Sequence, residues 1–259
     1  LSVTRLINQI KPDEIYNLAA QSHVAVSFNL PEYTTNVDAL GTLRILDAII
    51  QSKKKIKFYQ AGSSEMFGKV VETPQTEKTP FYPRSPYGVA KVYSHWITIN
   101  YRESYNIFAC NGILFNHESP RRGTNFVTNK VAKEAVKIKL GLSNKLKLGN
   151  LNASRDWGHT KDYVKAMWLI LQHDTPDDFV CSTGISHTVK DLVVYVFEAL
   201  ELDWTDYVIQ DKKYLRPEEL EHLKGDCSKI KNELGWSHNY NFQSMMDEMI
   251  EYWLEYYER

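Results

Sequence analysis

The chain has 259 residues, 43% of them hydrophobic, and a formal net charge of -1. That is enough apolar content for a sizeable core, in one large α/β unit or two unequal lobes, and too balanced a charge for a polyanion-binding surface, so nucleic acid is not an expected partner. Three widely spaced cysteines (Cys110, Cys181, Cys227) with no C-x-x-C, and histidines without metal-ligand spacing, suggest neither a disulfide framework nor a metal site; apolar runs fall far short of a membrane span, and a reducing, cytoplasmic setting is expected.

Val3, Leu6, Ile7 and Ile10 are spaced as on one helix face, so residues 2–11 read as an amphipathic helix. With Leu1 in place of a methionine, the chain is expected to begin inside a domain. Residues 14–20 read as a short buried strand and 36–50 as a helix with Val37, Leu40, Leu43 and Ile49 on its apolar side. A strand over 56–60 runs into the small residues Ala61-Gly-Ser-Ser64. A helix over 86–105, a strand over 108–115 and a helix over 126–140 closed by Gly141 continue the alternation. Strand and helix in turn predict a doubly wound parallel sheet, Rossmann-like.

From Asn116 the texture changes. Residues 116–123 form a polar loop, 163–172 and 189–200 look helical, 179–182 extended, and 242–257 a closing helix with Met245, Met249, Trp253 and Tyr256 in one stripe, read as core rather than as an oligomer surface. The expected organisation is a cofactor lobe over 1–115 and a smaller α/β substrate lobe over 116–259, with some segments returning to the first.

The chemistry sits in residues 81–91, Phe-Tyr-Pro-Arg-Ser-Pro-Tyr-Gly-Val-Ala-Lys, read with Ser63-Ser-Glu65. Tyr87 and Lys91 are four apart and share a helix face, where the ammonium is expected to lower the phenol's pKa toward neutrality. Such a pair alone means little in a chain with sixteen tyrosines. Its weight comes from Ser63 and Glu65 at the carboxyl edge of a strand, where parallel sheets present side chains to ligands. Singly, Glu65 is an ordinary strand-end glutamate, Ser63 a turn residue, His117 a loop histidine and Arg121-Arg122 a solvated pair. Together they point to redox and acid–base chemistry on an alcohol.

Segments 14–24, 81–91, 111–123, 125–128 and 155–159 resemble the extended short-chain dehydrogenase/reductases, and within them the GDP-mannose 4,6-dehydratases; the Asn-His-Glu-Ser-Pro-Arg-Arg-Gly run at 116–123 is the most specific of these. The resemblance implies conversion of GDP-D-mannose to GDP-4-keto-6-deoxy-D-mannose, the entry to GDP-fucose and related deoxysugars, with NADP recycled in each turnover. It also implies a homo-oligomer. By the same resemblance Ser63, Glu65, Tyr87 and Lys91 are catalytic, with serine where the family more often has threonine. Leu18, Ala19, Ala20, Gln21, Ser22, Tyr33, Lys91, His117 and Arg122 are assigned to the cofactor. Asn116, Asn125, Val127, Lys130, Arg155, Arg216 and Glu219 are assigned to the nucleotide sugar, although Arg216-Pro-Glu-Glu-Leu220 follows the family's Arg-Pro-x-Glu-Val only in part.

No G-x-x-G-x-x-G occurs among the twelve glycines, so the pyrophosphate-binding loop of the family is expected upstream of this chain. Two other readings fit the residues: a catalytically silent fragment or sugar-nucleotide-binding module, and an epimerase or reductase of the same family. Glu65 favours the dehydratase, because only elimination calls for a carboxylate beside the tyrosine and lysine.

Overall fold

The computed structural model describes residues 2–214 and 222–258. In chain order, α1 (Ser2–Ile10), β1 (Glu14–Asn17), α2 (Val24–Asn29), α3 (Pro31–Thr34), α4 (Leu40–Ser52) and β2 (Lys57–Ala61) lead to α5 (Pro86–Tyr105) and β3 (Ala109–Leu114). There follow β4 (Asn116–Glu118), α6 (Val127–Lys139), β5 (Leu146–Leu148), β6 (Ser154–His159), α7 (Thr160–Gln172) and β7 (Asp178–Cys181). The chain continues through β8 (Ser186–Thr188), α8 (Val189–Ala199), β9 (Val208–Gln210), β10 (His222–Leu223), α9 (Ser228–Leu234) and α10 (Phe242–Glu258).

The main sheet runs β1-β2-β3-β7, each neighbouring pair parallel. Its central strand β3 is buried along its whole length, as a strand covered on both faces must be. One face carries Phe58, Ala109, Leu46 and Ile49 against Ile7 of α1; the other packs Tyr59, Cys110 and Leu114 against Tyr163, Met167 and Ile170 of α7 and Trp236 beyond α9. Helices on both sides make the architecture doubly wound, and each such fully buried apolar side chain contributes about 1.5–3 kcal/mol. Although β7 lies far along the chain, it closes this sheet beside β3.

The second layer is the path β10-β6-β4, with β8 antiparallel on β6, and a separate β5–β9 pair. Its core packs Val131, Val136, Trp157, Val193 and Phe197 with Met245, Met249 and Trp253 of α10. Those three members of the closing stripe are core, as expected, whereas Tyr256 is 57% exposed. Residues 116–123, expected as a loop throughout, begin instead as a strand, because Asn116, His117 and Glu118 pair with Trp157, Gly158 and His159.

Local differences have identifiable causes. The first strand stops at Asn17, whose side-chain amide donates to Thr42 Oγ1 and Gln60 Oε1 at 3.2 and 2.8 Å. The next helix starts at Leu40 rather than 36, since Thr35–Ala39 form a π-helical turn. Helices α2 and α3 carry weak signals: α2 has six residues, and its N-cap is His23, whose Nδ1 accepts from Val26 N at 3.3 Å.

Candidate functional site

Strand β2 ends at Ala61, and Gly62 leads to Ser63, whose hydroxyl accepts from Glu65 N at 3.2 Å and starts a 3-10 turn over Ser64–Met66. This turn brings Glu65 to the carboxyl edge of the sheet. Across from it α5 begins with Ser85 as N-cap, accepting from Gly88 N at 3.0 Å, and Pro86 in the first turn, a favoured start because that N–H has no helical partner. Tyr87 and Lys91 follow one turn apart on the same face, 8% and 3% exposed. The Lys91 Nζ lies 5.8 Å from the Tyr87 ring centre and donates to Ala61 O at 3.0 Å. Ser63, Glu65, Tyr87 and Lys91 line one cleft of about 470 Å³.

Electrostatics at this cluster depart from the expectation for Tyr87. Burial pushes its phenol up to about 12; a hydrogen bond from Ser63 and the charge of Arg122 work downward, while Asp38 and Glu65 work upward. Lys91 does not bring the phenol toward neutrality, because desolvation dominates. The Lys91 ammonium is itself pulled down by burial and held up by Asp38. Asp38 sits in the π-helical turn, 1% exposed, its Oδ1 accepting from Gln21 N at 2.7 Å and its Oδ2 without a hydrogen-bond partner. Burial raises its pKa against the opposing pull of Lys91 and Gln21.

The facing wall comes from β4, α6 and β6. His117 Nδ1 lies 2.9 Å from Phe115 O, and the ring stacks on Tyr163 at 4.8 Å. Burial pushes His117 down to about 4, so near neutral pH the imidazole is uncharged, Nδ1–H donates to Phe115, and Nε2 keeps a lone pair. Arg122 pairs with Glu118 at 3.2 Å and lies 3.6 Å over the Phe126 ring, and Thr128 donates to Glu118 at 2.6 Å. Arg155, 7% exposed on β6, donates to Ser154 O at 2.8 Å. Lys130 donates to Lys147 O at 2.6 Å with its ammonium 3.8 Å over Tyr214, and burial lowers its pKa.

Of the residues singled out in the sequence, Leu18, Ala20, Ser22, Ser63, Glu65, Tyr87, Lys91, Asn116, His117, Arg122, Asn125, Val127, Lys130 and Arg155 line the cleft. Ala19, Gln21 and Tyr33 are not in its wall. Gln21 instead braces the turn, its Oε1 accepting from His23 N and its Nε2 donating to Thr34 Oγ1, and Tyr33 is 55% exposed on α3. Arg216 and Glu219 lie outside the described residues. Asp38, Glu118 and Tyr214 escaped the sequence reading; only Glu118 carried a signal, as part of the polar run at 116–123.

The nicotinamide cofactor implied by the resemblance fits part of this cleft. The buried Lys91 ammonium keeps donors beyond its bond to Ala61 O, suited to ribose hydroxyls. Leu18, Ala20 and Ser22 offer a low wall beside it. The sequence contains no glycine-rich loop for the pyrophosphate.

Known proteins resemble this chain over most of its length. The family model for GDP-mannose 4,6 dehydratase matches residues 1–249. GDP-mannose 4,6 dehydratase 2 of Arabidopsis thaliana is 55% identical over 258 residues, 98% of this chain and 69% of the relative. The human GDP-mannose 4,6 dehydratase is 51% identical, with 96% and 72% covered. Among solved structures, a UDP-glucose 4-epimerase of Thermotoga maritima superposes with a TM-score of 0.88 at 23% identity, covering 99% of this chain and 82% of the other. RMD from Pseudomonas aeruginosa complexed with NADPH superposes at 0.86 and 22% identity, covering 94% and 82%. At these identities the structural likeness speaks to the fold.

Proposed function

Since the chain belongs to the GDP-mannose 4,6-dehydratase family, we propose that its cleft converts GDP-D-mannose to GDP-4-keto-6-deoxy-D-mannose and water through Ser63, Glu65, Tyr87 and Lys91. The observation that carries the reading is the convergence of these four side chains on one cleft at the carboxyl edge of the sheet. Tyr87 accepts the proton of the C4 hydroxyl, with the Ser63 hydroxyl on the same oxygen. Lys91 holds positive charge beside the phenol and offers donors to ribose hydroxyls. A bound nicotinamide cofactor, NADP in this reading, supplies the hydride acceptor that is reduced as C4 is oxidised and re-oxidised at C6. Glu65 takes the C5 proton, made acidic by the new 4-keto group, and passes a proton to the hydroxyl departing from C6, which leaves as water. Glu65, reprotonated from solvent, then protonates C5 as hydride returns to C6, and Tyr87 releases to solvent the proton it took from the C4 oxygen, so the turnover closes with no net proton.

Binding is shared between the walls. Leu18, Ala20, Ser22, His117 and Arg122 take the cofactor side. Asn116, Asn125, Val127, Lys130 and Arg155 take the nucleotide sugar, with cations toward its diphosphate. The division into a cofactor lobe, 1–115, and a substrate lobe, 116–259, belongs to the same reading, supported by the return of β7, α7 and α9 to the main sheet. A homo-oligomer is supported by the stripe of Val89, Tyr93 and Trp96 exposed along α5, and a cytoplasmic setting by three buried free thiols. Among the described residues no helix is long and apolar enough to cross a membrane.

The test is incubation of the chain with NADP and GDP-mannose, followed by mass spectrometry of the sugar nucleotide. Loss of one water is expected. A folded protein that binds both ligands yet returns GDP-mannose unchanged would refute catalysis and favour the binding-module reading; an epimer of unchanged mass would favour the epimerase.

A further inference from the structure

Gly88, between the phenol and the ammonium on α5, has a helical rather than a left-handed backbone, so conformational freedom does not explain a poor helix former in a first helical turn. Space does. A Cβ at this position would stand 2.8 Å from Glu65 O, 3.1 Å from Pro83 Cβ and 3.4 Å from Ser85 Oγ. The nearest atom is backbone, which no side-chain rotation can clear, in a turn tied together by Glu65 N on Ser63 Oγ and Met66 N on Ser63 O at 3.1 Å, so the turn itself must shift.

From this we infer that Gly88 is a positioning residue for the dehydration step: its missing side chain lets the Glu65 turn seat directly on α5, and that contact sets the distance between the Glu65 carboxylate and the Tyr87 phenol. The inference rests on the proposed roles of those two groups. A methyl group at residue 88 moves the turn outward while Tyr87, fixed by the Ser85 cap, stays in place. C4 oxidation depends on Tyr87 and Ser63, and the later proton transfer at C5 depends on Glu65, so the two steps respond differently.

The experiment compares Gly88→Ala in the full chain with Gly41→Ala, a control glycine in α4 whose Cβ would meet only Asn36 O at 3.9 Å. Rapid mixing with NADP and GDP-mannose follows reduced nicotinamide by absorbance and water loss by quenched mass spectrometry. Gly88→Ala is expected to keep C4 oxidation within about threefold of the parent while water loss falls about 10- to 100-fold, the range for displacement of a catalytic group on the ångström scale. Reduced cofactor then accumulates, KM for GDP-mannose holds, and Gly41→Ala matches the parent. Equal losses in both steps, no loss in either, or a variant that does not fold would each overturn the inference. If the parent chain itself gives no turnover, the proposed catalytic function fails, and the positioning claim is decided by the crystal structure of Gly88→Ala: the 64–66 turn displaced from an unmoved Tyr87 supports it, and superposition with the parent rejects it.

Discussion

Replacing Glu65 by glutamine separates the two halves of the proposed reaction. The side chain keeps its size, and the turn that carries it is held by backbone groups, Glu65 N on Ser63 Oγ, Met66 N on Ser63 O and Phe67 N on Ser64 O, so geometry survives while the base is lost. Removing a general base costs about 10²- to 10⁴-fold, roughly 3 to 5.5 kcal/mol of barrier. That loss falls on elimination alone. The Glu65 charge is also one of the influences raising the Tyr87 phenol, which burial pushes up to about 12. Neutralising residue 65 removes an opposing charge, so C4 oxidation proceeds at the parent rate or faster. Stopped-flow absorbance should show a stoichiometric burst of reduced nicotinamide, with little water loss by mass spectrometry. Water loss within tenfold of the parent, or a burst that slows in parallel with it, would refute the assignment of Glu65.

Two further substitutions probe charges that the fold has buried. Arg102 binds Asp178 through two hydrogen bonds of 2.9 and 3.0 Å, and Asn111 adds two more; Arg102→Met strands that carboxylate and should cost about 3–5 kcal/mol, or about 6–20 °C in Tm. Burial pushes Asp178 upward, but Arg102 outweighs it and holds the carboxyl below its ordinary value. This stabilisation is therefore present above about pH 4 and lost as pH falls through the depressed folded value, and in Arg102→Met the acid-side loss should disappear from thermal scans taken across that range; a Tm unchanged to within a degree would exclude the argument. Asp38 supports charged Lys91 and opposes ionisation of Tyr87, so Asp38→Asn should move both limbs of the pH profile for C4 oxidation to lower pH by about a unit. Limbs that stay in place would show that Asp38 does not govern the pair.

The main sheet and its helices were legible because their signals are local and repeated. Ser85 and Pro86 announce the start of α5, β2 is a run that ends in small residues, and β3 ends in an apolar run that gives way to the polar Asn116. The four catalytic candidates were legible for the same reason, as each lies at a strand end or in the first two turns of a helix. Strand β6 was not, since Ser-Arg-Asp-Trp-Gly-His has no alternating pattern and gains its identity from three partners distant in sequence. Asp38 was invisible because a π-helical turn carries no sequence mark, and its importance comes from burial next to Lys91. The phenol of Tyr87 illustrates the limit most sharply: spacing placed the lysine correctly on the helix face, but the balance between charge and desolvation belongs to the packed structure.

The fully buried Asp156 on β6 accepts hydrogen bonds from Thr183 N, Thr183 Oγ1, Gly184 N and, at 3.4 Å, Gly225 N, residues 27, 28 and 69 positions away. Its neighbour on the strand is Arg155, which lines the cleft. Contacts of such separation form only after the entropy of closing long loops has been met, so they reward the chain late. Pairing within the main sheet is of the same kind, its partners standing 43 positions apart between β1 and β2, 51 between β2 and β3 and 67 between β3 and β7. Both walls of the cleft are therefore late contacts of the chain: the Tyr87 and Lys91 side rests on the pairing of distant strands, and the Arg155 side on one carboxylate that gathers segments far apart in sequence, so the cleft takes shape only when the whole fold does.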